Sequence, residues 1–188
     1  MAIRAMPPWF DLSGAAQLAL VALMLVSSLV LGGILSRASN SLKPTLPRGI
    51  VSLEAPRSSA RAACLLKCMT SEQITSARWQ VRWDFPFLVC YSLFLSIAAG
   101  SIAQRTSDLW QFAGILLSWG GLLAGAWDAV EDVSILQMLK GRTGVPWPQL
   151  STLACVVKFT LLGAALAYVV VGVLVFLFRS ARGVLAPP

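Results

Sequence analysis

The chain contains no histidine. That absence excludes a histidine-ligated metal site and a histidine general base. Charge is scarce as well: Asp, Glu, Lys and Arg make up 12% of the 188 residues, about half the ~25% of a soluble domain. Hydrophobic residues make up 57%, and the mean hydropathy is +0.75. This balance excludes a water-soluble globular core and fits a chain mostly immersed in hydrocarbon. Acids are scarcer than bases, 8 against 15, for a net charge of +7. The basic residues lie between apolar runs, so anionic lipid headgroups are the expected partner and nucleic acid is not. The chain also lacks a G-x-S-x-G elbow, an acyl- or phosphoryl-transfer motif, an internal repeat and a low-complexity block. No catalytic residue, metal or cofactor is therefore assigned.

Cysteine is limited to four positions. Cys90 and Cys155 fall in or beside apolar runs, where cysteine behaves as a small hydrophobe. Cys64 and Cys68 stand four apart, a spacing that could hold half a metal site or report redox state, but no other residues supply the remaining ligands.

What the chain has in quantity is long apolar runs. The first, Ala15–Ser36, is broken only by Gln17 and a few serines. It is longer than the roughly 7–15 residues of a signal-peptide core, and reads as a first span. Before it, Pro7, Pro8 and Trp9 form a short tail suited to an interface. Residues 37–83 form the one long polar segment, opening with Pro44 and Pro47. Ser58 or Ser59 is placed to cap a helix over Ala60–Met69. Thr70-Ser-Glu-Gln73 has capping-box spacing and starts a second helix through Arg82. Residues 57–82 are basic and amphipathic, which fits a membrane surface.

The second span is expected over Asp84–Ala103, with Asp84 at its N-cap and Pro86 in its first turn. A tight polar turn follows, Gln104–Asp108, with a third span over 109–130 continuing as helix to Lys140. Gly141, with Gly144, Pro146 and Pro148 behind it, is a stop. Gly121 and Gly125 form a GxxxG pair that allows close helix approach. The fourth span covers 155–178, and the tail Ala186-Pro187-Pro188 is unstructured by composition. The expectation is an all-α fold: one membrane domain over 1–188, an integral membrane four-helix bundle with amphipathic interfacial helices between spans one and two.

Alternating spans bring the start of span two, the end of span three and the start of span four to one face of the membrane. Asp84, Asp128, Glu131, Asp132 and Lys158 then converge as a polar cluster, with Arg37 arriving at the same side. Asp128, Glu131 and Asp132 share one helical face through i, i+3, i+4 spacing. Tyr91, two turns beyond Asp84, extends the polar track. The plainer alternative is that Asp84 caps its helix, Lys158 snorkels and the acidic face points to water.

Four stretches carry a resemblance: Glu54 after an apolar stretch, Asp84-Phe-x-Phe-x-x-x-Tyr91, Asp128-Ala-Val-Glu131, and Lys158-Phe. Over roughly Ile50 to Val175 the chain resembles a group of small, functionally uncharacterised bacterial four-span membrane proteins. It departs from that group at Asp132, where an asparagine is expected, and at Pro86. The resemblance implies four spans in a bacterial inner membrane and adds Glu54 to the residues of interest, but it implies no activity.

Arg4, Arg105, Arg179 and Arg182 lie on one side of such a bundle and ten Lys and Arg residues on the other, which places the long polar segment in the cytoplasm and both termini opposite. Three functions fit the sequence. The first is a non-enzymatic accessory, assembly or lipid-interacting subunit of a larger membrane complex or homo-oligomer. The second is a proton-linked transporter or ligand-binding bundle with Lys158 as counter-ion. The third is an enzyme acting on lipid headgroups through paired carboxylates.

Overall fold

The computed structural model describes residues 6–185, with side chains as far as 181. Arg4, the Arg182 side chain and the Ala186-Pro187-Pro188 tail, named above, lie outside the described residues. Every regular element among the described residues is helical. The order is α1 (Gly14–Ser39), α2 (Val51–Glu54), α3 (Ser59–Lys67), α4 (Ser71–Ala103), α5 (Asp108–Leu139) and α6 (Trp147–Leu185). Four of them, α1, α4, α5 and α6, are long and apolar enough to cross a membrane.

The four long helices are not packed symmetrically. α5 lies between α4 and α6, α4 also touches α6, and α1 packs chiefly on the flank of α4. Small residues on α5 set the α4–α5 distance. A Cβ at Gly121 would stand 3.0 Å from the Ser96 amide, and one at Gly125 would stand 2.7 Å from the Ser92 Cβ. Two serines seal the same contact: the Ser118 hydroxyl donates to the Ser96 carbonyl at 2.8 Å, and the Ser96 hydroxyl donates to the Ser118 carbonyl. Gln17, the polar interruption in α1, is 2% exposed. Its amide nitrogen donates to the Trp9 carbonyl and to Gln104 Oε1, both at 2.9 Å, and Ser101 donates to its oxygen at 2.8 Å. The residue that breaks the apolar run therefore ties α1 to the α4–α5 turn.

The segment between α1 and α4 departs from expectation. The second basic helix and the second span are one continuous helix, α4. Its start is the capping box: Thr70 Oγ1 accepts from the Gln73 amide at 3.2 Å, and Gln73 Oε1 accepts from the Thr70 amide at 3.1 Å. Asp84 is therefore no N-cap, and Pro86 lies well inside the helix. The cap at Thr70 satisfies orphan amides sixteen residues before Pro86 arrives, so the proline interrupts a helix already propagating. At ~1.5 Å per residue the 33 residues of α4 extend ~50 Å, well beyond ~30 Å of hydrocarbon.

Most leucines of the polar segment point inward, whereas Val51, Trp79 and Trp83 are exposed. Leu42, Leu46, Leu53 and Ala62 are at most 1% exposed and pack with Met69, Ala77, Val81, Ile135 and Met138. Leu65 and Leu66 of α3 lean on the same cluster. The amphipathic face of α3, which the sequence assigns to a membrane surface, thus covers a second core built on the first turns of α4 and the last turns of α5. Ser58 caps α3 by accepting from the Arg61 amide at 3.2 Å. α5 ends where Gly141 takes a φ of +90°, a left-handed conformation suited to glycine. Arg78 of α4 donates to the Leu139 carbonyl at 2.7 Å, satisfying one orphan acceptor of that terminus.

Candidate functional site

Three long helices and the short α2 meet at one group of ionisable side chains. α5 supplies Asp128, Glu131 and Asp132, which are 2%, 0% and 3% exposed. α6 supplies Lys158, 7% exposed. α4 supplies Asp84 and, seven residues on and so on the same face, Tyr91. α2 ends in Glu54. The burial of the acidic face excludes the plainer alternative in which it points to water.

Lys158 is the centre. Its ammonium lies 2.5 Å from Asp128 Oδ1 and 2.8 Å from Glu131 Oε2. The contact to Asp128 is a hydrogen bond; the contact to Glu131 is an ion pair without hydrogen-bond geometry. Tyr91 donates to the other Asp128 oxygen at 2.7 Å. Asp128 is thereby held from two sides, by an ammonium on α6 and a phenol on α4.

The remaining acids sort into two groups around this pair. One oxygen each from Glu54 and Glu131, with the Cys155 sulfur, lie within 4.8 Å of one another. So do one oxygen each from Asp84, Asp128 and Asp132. Glu54 thus stands beside Glu131, and Asp84 beside Asp132. Two ionised carboxylates have no proton to share, so each contact is a hydrogen bond only when one partner keeps its proton. With all five acids ionised, one lysine would leave four negative charges uncompensated in a buried site. Taking a charge out of water costs several kcal/mol per ion unless it is compensated. The arrangement requires protons, a bound cation, or both. For Glu54, which lies outside the four long helices, burial pushes the carboxyl above the ordinary carboxylate range, against the opposing pull of the Lys158 ammonium.

Next to the cluster is a cavity of about 230 Å3. Glu54, Asp84, Asp128, Asp132, Lys158 and Tyr91 line its polar part, with Gln80. Leu35 of α1, Phe87 of α4, and Phe159 and Leu162 of α6 form its apolar walls. Phe159 is 51% exposed, so that side opens outward.

All five residues expected to converge, Asp84, Asp128, Glu131, Asp132 and Lys158, reach this site, and so do Glu54 and Tyr91. Arg37 does not: it is exposed on α1 and lies outside the cavity lining. Cys64 and Cys68 are free and exposed, and neither joins a metal-capable group among the described residues. Cys155, read as a small hydrophobe, lies beside Glu54 and Glu131. The sequence reading passed over Gln80, and met Phe87 and Phe159 only inside the motifs of the resemblance, without a role. Gln80 and Phe87 stand four before and three after Asp84, the spacing of one helical face, and that was the available signal. Compared with known protein families, curated proteins and solved structures, the chain finds no match in any of the three.

Proposed function

We propose that this chain is an integral membrane protein that binds a cation in exchange for protons at its buried carboxylate–lysine cluster. α1, α4, α5 and α6 cross the bilayer, and the capped core of α2, α3 and the first turns of α4 stands at one surface. By the resemblance noted above, the membrane is a bacterial inner membrane, and by the count of basic residues the capped core faces the cytoplasm. The protein is a non-enzymatic ligand-binding or transport bundle. The apolar outer faces of α1 and α6 meet lipid or a second copy of the chain.

One observation carries this reading: five carboxylates gather around one ammonium, with Asp132 Oδ2 and Glu131 Oε1 buried and receiving no hydrogen bond. A purely structural accessory subunit gains nothing from such a set. Apolar residues of similar volume would hold the helices together at least as well. A headgroup-cleaving enzyme needs an activated nucleophile or a proton-transfer pair aimed at a scissile bond, whereas here Lys158 and Tyr91 both engage Asp128.

Infrared difference spectroscopy of the protein in lipid nanodiscs tests the reading. The expected result is a protonated-carboxyl band that persists at neutral pH, titrates as pH rises, and loses intensity in Asp132→Asn and in Glu54→Gln. A spectrum with no protonated carboxyl at neutral pH would overturn it.

A further inference from the structure

The cavity has two kinds of wall, and together they describe a ligand. Its buried polar end offers acceptors. Asp132 Oδ2 receives no hydrogen bond, although the residue is 3% exposed and lines the cavity. Gln80 Oε1, on a residue 2% exposed, is likewise without a donor. Asp84 and Asp128 stand beside Asp132. The Tyr91 hydroxyl is spent on Asp128, and the Lys158 ammonium sits on Asp128 and Glu131. A ligand that completes this end must donate hydrogen bonds and carry positive charge.

The other end is apolar and aromatic. Leu35 stands on one side, Phe159 and Leu162 on the other, and Phe87 packs on Tyr91 with ring centroids 5.3 Å apart. Aromatic walls beside carboxylates suit an organic ammonium, through cation–π attraction and apolar contact. A hydrated metal ion gains nothing from that half of the wall. At about 230 Å3 the space falls below the ~300–1,000 Å3 of drug-sized sites, so it admits a small head while the rest of the ligand stays in the apolar mouth.

We infer that the cluster binds a primary or secondary ammonium attached to an apolar body, its N–H groups on Asp132, Asp84 and Gln80 and its apolar part between Leu35 and Phe159. This rests on the proton-exchange reading and names its ligand. The ligand arrives already protonated. As its charge replaces that of a carboxyl proton on the Asp84–Asp132 pair, the O–H bond breaks, its electron pair stays on the carboxylate, and the proton leaves to water.

The test uses phenethylammonium as probe, with the protein in nanodiscs of neutral lipid and empty nanodiscs as control. Binding is read by calorimetry in two buffers of different ionisation enthalpy, which counts protons released. The expected result is saturable binding with proton release. The N-trimethyl analogue, which has no N–H, and magnesium ion should both bind at least about tenfold more weakly, the value of one hydrogen bond to a charged group. Gln80→Leu should weaken phenethylammonium by about the same factor. It keeps every carboxylate, so it remains informative should Asp132→Asn fail to fold. If phenethylammonium does not bind to protein whose carboxyl band still titrates, this inference fails while the proton-exchange reading stands. Equal binding of the trimethyl analogue, or preferred binding of magnesium, would overturn it as well. Loss of the titrating band itself would instead remove the reading beneath it.

Discussion

Glu54 shows most directly what burial does to a single residue here. It sits at the end of a four-residue helix, with Oε2 buried and without a donor, beside Glu131. Burial raises its carboxyl above the ordinary value of 4.5. The folded protein therefore favours the protonated form more than the unfolded chain does. The stabilisation this confers is full below pH 4.5 and is lost as pH rises through the folded value. Glu54→Gln, which keeps shape and hydrogen bonding without the charge, should lose less thermal stability than the parent over that rise. Melting curves across pH in one detergent check this, and parallel slopes for the two proteins would mean that folding leaves the Glu54 carboxyl unshifted.

Among the elements, the α4–α5 contact carries the greatest demand for small side chains. Gly125 faces Ser92 and Gly121 faces the α4 backbone so closely that a side chain at either position must push the helices apart. Gly125→Val should destabilise the bundle by about 1–3 kcal/mol or more, the range for overpacking, and should displace Tyr91, one residue from Ser92, from Asp128. Gly144→Val, where a Cβ meets nothing, is the control. Equal melting temperatures for the two variants would show that the glycines do not set this distance. Much of this level was legible. The GxxxG spacing, the capping box at Thr70 and the stop at Gly141 are local signals, each fixed within a few residues. The start of α4 was misread because Asp84 and Pro86 also form a local signal, an N-cap followed by a first-turn proline, and two such signals fourteen residues apart compete. The earlier one prevails here because α4 is anchored beyond Asp84 by tertiary contacts: Ala77 and Val81 in the outer core and Arg78 on the Leu139 carbonyl. The same reason hides Gln80 from a reading that ends one helix before Asp84 and starts another there.

Across the whole molecule, alternating direction alone predicts which helix ends share a side, and the convergence of acids on Lys158 follows that count. Their burial does not follow from it. It depends on the outer core, whose Leu42, Leu46 and Leu53 come from a segment rich in proline and basic residues that sequence assigns to loop. That outer core also makes orientation measurable. Cys64 is exposed on α3, whereas Cys90 and Cys155 are half-buried in the long helices. On the orientation proposed above, a single-cysteine variant retaining Cys64 should react with an impermeant maleimide only when the cytoplasmic face is open. Labelling in intact cells would place the outer core on the opposite side.

Pro86 adds a mechanical consequence. Proline has no amide hydrogen, so the carbonyl of Arg82 has no helical partner, and α4 is least stiff one turn around Asp84. The acid that lines the cavity is thus mounted on the compliant joint of a rod that runs from the outer core to the turn held by Gln17. A change in the charge carried at that joint is a bending force, and both arms of the rod are long enough to turn it into displacement.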